Sequence, residues 1–259
     1  MDRTREYGTG FALTLVHAGL LSAGFLILAS AFDFPGILRA SSQERLALFA
    51  AHQALIVPAY YMMALSGVTQ IALAIVFHQS FARPGSTVLL AALIAGVLAG
   101  AFQLMGFMRW PIVVPYLAEQ MAGARSDDAR NVIGLLEGLL NRYAGMTIGE
   151  HLGFLAQGSW TVLIGAAMLR GPLFSWVYGV VGLVLGVLLF AGALEQLGGA
   201  LAVLGMVSAH VSAAWLGWLV MCGVSLSRTQ SDGRGPRFSW ASLLGLVGLM
   251  GGLAASAIH

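Results

Sequence analysis

Apolar residues run almost unbroken through seven stretches of this chain, and polar residues collect between them. The stretches cover roughly residues 9–32, 53–78, 86–108, 148–169, 171–193, 198–224 and 238–258. Each is close to the ~20 residues an α-helix needs to cross a hydrocarbon core. The pattern predicts an all-α, polytopic helical membrane bundle of about seven transmembrane helices, because backbone in lipid must satisfy its own hydrogen bonds. Turn signals punctuate the runs at Arg83-Pro84-Gly85, Arg170-Gly171-Pro172 and Gly198-Gly199. The first stretch is too long for a removable leader and lacks its small-residue cleavage pattern, so it is expected to stay. No tandem repeat divides the chain, and residues 1–259 read as a single transmembrane helical domain.

Two connections are long. In residues 33–52, Leu38, Leu46, Leu48 and Phe49 alternate with Arg39, Glu44 and Arg45, which predicts a surface helix within 35–50 lying on the bilayer. Residues 109–147 hold an amphipathic run, Val132 to Leu140, which predicts a second surface helix within 127–145. Structured connections of that length are often functional. Orientation follows from arginine. Placing the N-terminus inside puts Arg3, Arg5, Arg83, Arg170, Arg228, Arg234 and Arg237 in short cytoplasmic segments. The expectation is N-terminus in and C-terminus out, with both long connections outside.

Composition removes several classes. Hydrophobic residues make up 58% of the chain and charged residues 9%, against about a quarter charged in soluble domains. All 13 basic residues are Arg, so no Lys is present to form a retinal Schiff base. A Walker A loop is absent. Cys222 stands alone, which leaves no CxxC pair. A net charge of +2 with scattered Arg gives no nucleic-acid footprint.

Polar residues at the ends of the runs carry the candidate chemistry, since ionisable groups in lipid must pair, face a cavity or function. Thr147, Glu150, Gln157 and Thr161 share a face at α-helical spacing. They read either as an ion, proton or polar-ligand site, or as a capped, ion-paired helix start. Arg109-Trp110-Pro111 closes the third run, with Trp110 as interfacial anchor and Arg109 snorkelling or pairing with Glu150. Glu195-Gln196 lies at the same expected depth. Metal candidates are His52, Glu150, His151, His17 and His210, the last two raising bis-histidine haem ligation. Neither HExxH nor a paired i,i+4 histidine occurs, and no particular cofactor is singled out.

Four segments occur in order: Phe32-Asp33-Phe34-Pro35-Gly36-Ile37-Leu38-Arg39, Ala59 to Gly67, Arg109-Trp110-Pro111, and Asn141 to Gly153 ending Gly149-Glu150-His151-Leu152-Gly153. In these, over roughly residues 10–195, the chain resembles an uncharacterised family of bacterial multi-pass membrane proteins defined only by a domain of unknown function. The resemblance implies a helical protein of the bacterial inner (plasma) membrane and no particular activity.

The leading expectation is a non-enzymatic membrane protein. An outward-facing polar pocket would hold a small molecule, ion or lipid headgroup through Arg109, Arg142, Tyr143, Glu150, His151 and Glu195. Guanidinium forks suit an anionic group, and Glu150 balances charge or takes a proton. A second expectation is a haem- or metal-binding membrane redox protein built on the histidines. A third is an accessory subunit of a larger complex, or a homo-oligomer, since Gly182, Gly186, Gly245, Gly248 and Gly252 form small-residue packing faces. An enzyme using Glu150 and His151 on lipid lacks an activated nucleophile. The expected partners are the lipid bilayer and a small-molecule or lipid ligand, with no nucleic acid.

Overall fold

The computed structural model describes residues 3–81 and 85–232. The predicted span 238–258, Arg83, Pro84, Arg234, Arg237 and the glycines Gly245, Gly248 and Gly252 lie outside the described residues. Within them the chain forms α1 (Arg3–Ala31), α2 (Ser42–Phe81), α3 (Thr87–Ile112), α4 (Val114–Gly123), α5 (Asp127–Leu140), α6 (Gly153–Leu169), α7 (Trp176–Ala193) and α8 (Gly205–Asp232). A π-helix, Asn141–Leu152, joins α5 to α6. Short 3₁₀ turns occupy Gly36–Arg39, Leu194–Leu197 and Gly199–Leu204. Among the described residues, six stretches are long and apolar enough to cross a membrane, and each overlaps one of the first six predicted runs.

Neighbours in the bundle are α1 with α2, α2 with α3, α3 with α6, α6 with α7, α7 with α8, and α8 with α1. The described spans thus close into an up-and-down ring. Lipid offers no hydrophobic drive between helices, so close approach through small residues matters. Gly67 meets Gly100 where α2 crosses α3, and Gly158 meets Gly186 where α6 crosses α7. Gly182 is in the same seam, under the indole of Trp218. Trp160, Trp215, Trp218, Phe77 and Phe174 fill the ring's core.

A second core lies at the end of the ring that carries residues 32–52 and 113–140. Phe32, Phe49, Tyr60 and Trp110 form its centre, with the Tyr60 and Trp110 rings stacked at 4.7 Å. This lobe differs from the sequence expectation in three ways. The helix expected in 35–50 turns Leu46 and Phe49 into protein, where both are buried. It is the first part of α2, which bends at His52 (φ −127°, ψ 21°) before entering the spanning part. Residues 113–126 contain a further helix, α4, whose Pro115 falls in the first turn where its missing N–H costs nothing. Finally, α5 runs without a break through the π-helix into α6. Residues 127–169 would reach roughly 60 Å at helical rise, about twice the hydrocarbon core.

The start of α2 is held by a capping box. The Ser41 hydroxyl accepts from the Glu44 N–H (3.2 Å), and a Glu44 carboxylate oxygen accepts from the Ser41 N–H and hydroxyl (both 2.9 Å). Ser41→Ala is expected to cost about 1 kcal/mol, read as a lower thermal midpoint with unchanged helix content by circular dichroism. An unchanged midpoint would show that the box is idle.

Candidate functional site

The charged groups of the lobe end fall into three sets. The first is an ion pair with no signature in the sequence. Arg45 donates from Nε to Glu137 Oε1 (2.9 Å) and from Nη2 to Glu137 Oε2 (2.7 Å). The two side chains are only 5% and 2% exposed. Arg45 also donates to the Leu38 and Ala40 carbonyls, so one guanidinium ties the 3₁₀ turn, α2 and α5 together. Asn141 extends the network, with Nδ2 donating to the same Leu38 carbonyl at 3.3 Å.

Arg109 forms the second set. It lies in the last turn of α3 and is 7% exposed. One nitrogen donates to Asn141 Oδ1 at 3.1 Å, and another to the Gly106 carbonyl. The guanidinium carbon stands 5.1 Å from the Trp110 ring centroid, a cation–π contact. The expected Arg109–Glu150 salt bridge does not form. The ion pairs within 4.0 Å among the described residues are Arg39–Glu195, Arg45–Glu137 and Arg130–Asp127. Arg109 therefore keeps a buried charge with no carboxylate in contact, although Glu150 and Glu137 remain within electrostatic reach. Beside it, the Tyr60 hydroxyl and the Trp110 indole N–H are buried without hydrogen-bond partners among the described residues. Trp110 is 1% exposed, which overturns its reading as an interfacial anchor. Stacking on Tyr60 and Phe49 holds it inside instead.

The π-helix supplies the third set. Its hydrogen bonds run i to i+5, so each turn takes in an extra residue. Thr147 follows that register, its hydroxyl donating to the Arg142 carbonyl five residues back at 3.0 Å. The expected single face through Thr147, Glu150, Gln157 and Thr161 is broken for this reason: the Thr147 hydroxyl turns back along its own helix, while Thr161 is fully buried in the ring. Close packing sets the position of the π-helix. A Cβ on Gly106 would come within 2.6 Å of the Gly149 Cα, and one on Gly145 would strike the Arg109 guanidinium. Glycines at these positions let the π-helix lie directly on α3 and against the arginine.

Glu150 accepts from Gln196 Nε2, and His151 Nδ1 bonds the Ala193 carbonyl at 2.8 Å. Glu195 is paired with Arg39 and lies within electrostatic reach of Glu150. Arg142 and Tyr143 are exposed on the π-helix. The structure thus brings Arg109, Glu150 and Glu195 into one electrostatic neighbourhood, seats His151 beside it, and leaves Arg142 and Tyr143 at its edge. Gln196 joins beside Glu195, and Arg39, Arg45, Glu137 and Asn141 join unforeseen; the Asn141-Arg142 pair opening the glycine-rich segment was the available signal for one of them. Of the metal candidates, His52 is exposed at the bend in α2, His210 is exposed on α8, and His17 is buried in the ring. Among the described residues, no three or more His, Cys, Asp and Glu side chains gather as a metal-binding group.

A closed ring of apolar helices with a polar, helical lobe defines an integral, multi-pass membrane protein. The family model described as "Domain of unknown function (DUF4386)" matches residues 7–223, and the chain belongs to that family. The match reaches beyond residue 195 and takes in most of the 198–224 run, further than the sequence segments alone placed it. Among curated proteins and among solved structures, none matches this chain.

Proposed function

We propose that the lobe end of this membrane protein binds an acidic group, the phosphate or carboxylate of a lipid headgroup or small molecule. The observation that carries this reading is Arg109, a buried guanidinium with no carboxylate in contact. Burying such a charge costs several kcal/mol unless an anion compensates it. Its planar fork suits oxyanions, and the unpartnered Tyr60 hydroxyl and Trp110 N–H are two further donors beside it. Arg142 and Tyr143 serve as the outer contacts, with Glu150, Glu195 and His151 setting the local charge. A π-helix at this point fits the general association of such segments with functional sites. Arginine distribution favours the N-terminus inside a bacterial inner membrane, which opens the site to the extracytoplasmic face. The arrangement reads as binding rather than catalysis, and as one domain.

The test is thermal unfolding of the purified protein in a zwitterionic detergent. Inorganic phosphate and a short-chain phosphatidylglycerol are the probes, and a short-chain phosphatidylcholine is the control. Binding at 100 times Kd stabilises by about 2.7 kcal/mol. Wild type is expected to shift upward with one or both anionic probes and not with the control. Arg109→Gln is expected to lose that shift while unfolding no earlier than wild type without ligand, since it removes an uncompensated charge. No anion-dependent shift in wild type, or an equal shift in Arg109→Gln, sinks the reading.

An accessory-subunit role has one specific observation in its favour. Val132, Leu135, Leu136 and Leu139 of α5 are 57%, 74%, 51% and 64% exposed, an apolar stripe on the lobe.

A further inference from the structure

A second set of unpartnered polar groups lies inside the ring, apart from the lobe. His17 of α1, Gln70 of α2 and Trp160 of α6 are each 0% exposed. His17 Nε2, both amide atoms of Gln70, Trp160 Nε1 and Gln157 Nε2 are all buried without hydrogen-bond partners among the described residues. Ring contacts link two of their helices through a third. The His17 ring meets Trp215 edge-on at 5.9 Å, and Trp215 meets Trp160 at 6.3 Å. The Trp215 indole donates to Thr161 Oγ1 at 3.0 Å, one helical turn from Gln157. A Cβ added to Gly96 of α3 would touch both Ala74 and Trp160 Nε1, which puts the α2 face carrying Gln70 and Ala74 opposite Trp160.

Hydrogen bonding fixes the imidazole tautomer. His17 Nδ1 lies 3.1 Å from the Ser66 carbonyl and 2.8 Å from Thr69 Oγ1. The Thr69 hydroxyl already donates to that carbonyl at 2.9 Å, so its proton is committed. A carbonyl only accepts. Nδ1 must therefore carry the hydrogen, and Nε2 presents a bare lone pair to the interior. The set then comprises two acceptors, His17 Nε2 and Gln70 Oε1, and donors on Gln70, Gln157 and Trp160. None of these side chains carries a formal charge. In an apolar span each unsatisfied group costs on the order of 1–3 kcal/mol.

We propose that these residues enclose a membrane-embedded site for a neutral hydroxyl-bearing guest. A hydroxyl is the group that can donate to His17 Nε2 while accepting from an indole or amide N–H. The guest is either water or a small alcohol-type molecule, and it sits between α1, α2 and α6. The site is separate from the acidic-group site at the lobe and stands if that one fails.

The experiment uses ¹⁵N-histidine-labelled protein in lipid nanodiscs, with the His17 resonances assigned by their loss in His17→Gln. The expected result is a neutral Nδ1–H ring whose Nε2 signal is moved upfield from the free-acceptor position. Magnetisation transfer from water protons to that ring identifies water. Its absence, together with a hydroxyl compound recovered on denaturing the protein, identifies an organic guest. A free-acceptor Nε2 signal overturns the proposal. A second arm compares unfolding of Gln70→Leu. Loss of a bonded guest is expected to lower the midpoint, whereas a higher midpoint means the amide was merely unsatisfied and ends the idea. Should Gln70→Leu fail to fold, the wild-type Nε2 signal decides alone.

Discussion

Glu137→Ala is expected to destabilise the protein by about 3–5 kcal/mol, the usual cost of removing one partner from a buried ion pair. The charge it strands is Arg45, 5% exposed and without another carboxylate within 4.0 Å among the described residues. Loss should be local first. Amide exchange in residues 36–52 and 127–140 is expected to quicken before that of the ring, because Arg45 also holds the Leu38 and Ala40 carbonyls. The double variant Arg45→Met/Glu137→Leu should recover much of the loss, since both charges leave together. Recovery stays incomplete because the Ala40 carbonyl loses its arginine donor and the Leu38 carbonyl is left with Asn141 alone. A single-variant cost below about 1 kcal/mol would mean that water screens the pair as it does at a surface.

The second large effect concerns the seam between α3 and the π-helix. Gly106→Val places a branched side chain where a Cβ alone would approach the Gly149 Cα to 2.6 Å. Backbone cannot rotate out of the way as a side chain can, so the helices must part. The expected loss is about 3 kcal/mol, at or beyond the upper end for overpacking. Parting them also moves Gly145 away from the Arg109 guanidinium, so the phosphate-dependent shift should vanish with it. Gly19→Ala is the control. Nothing lies within 4 Å of its added methyl, and alanine is the better helix former. A Gly106→Val protein as stable as the Gly19→Ala control would refute the close crossing.

Hydropathy made the spanning helices legible, because lipid forces long apolar runs wherever a helix crosses. It misled about the lobe for the same reason. Arg45 and Glu137 look like solvent-facing charges when each is read within its own segment, and only the packing of α5 on α2 shows them to each other. Trp110 ends an apolar run beside Arg109 and Pro111, which is how an interfacial anchor looks. The aromatic rings that bury it come from residues 32, 49 and 60, remote in sequence. A common face for Thr147, Glu150 and Gln157 exists only at 3.6 residues per turn. A π segment changes the period without changing the composition, so nothing in the pattern announces it. Gly145 and Gly149 are plain in the sequence, but a close backbone approach has no partner there until the fold supplies one.

The place where α3 ends and α6 begins has a wider meaning. These two helices are adjacent in the ring, so residues 113–152 leave the end of α3 and come back beside it to enter α6. A segment with that property behaves like a removable headpiece mounted on a fixed frame. Its length and surface are free to diverge between relatives while the frame keeps its closure, so variation in sequence and length should concentrate there.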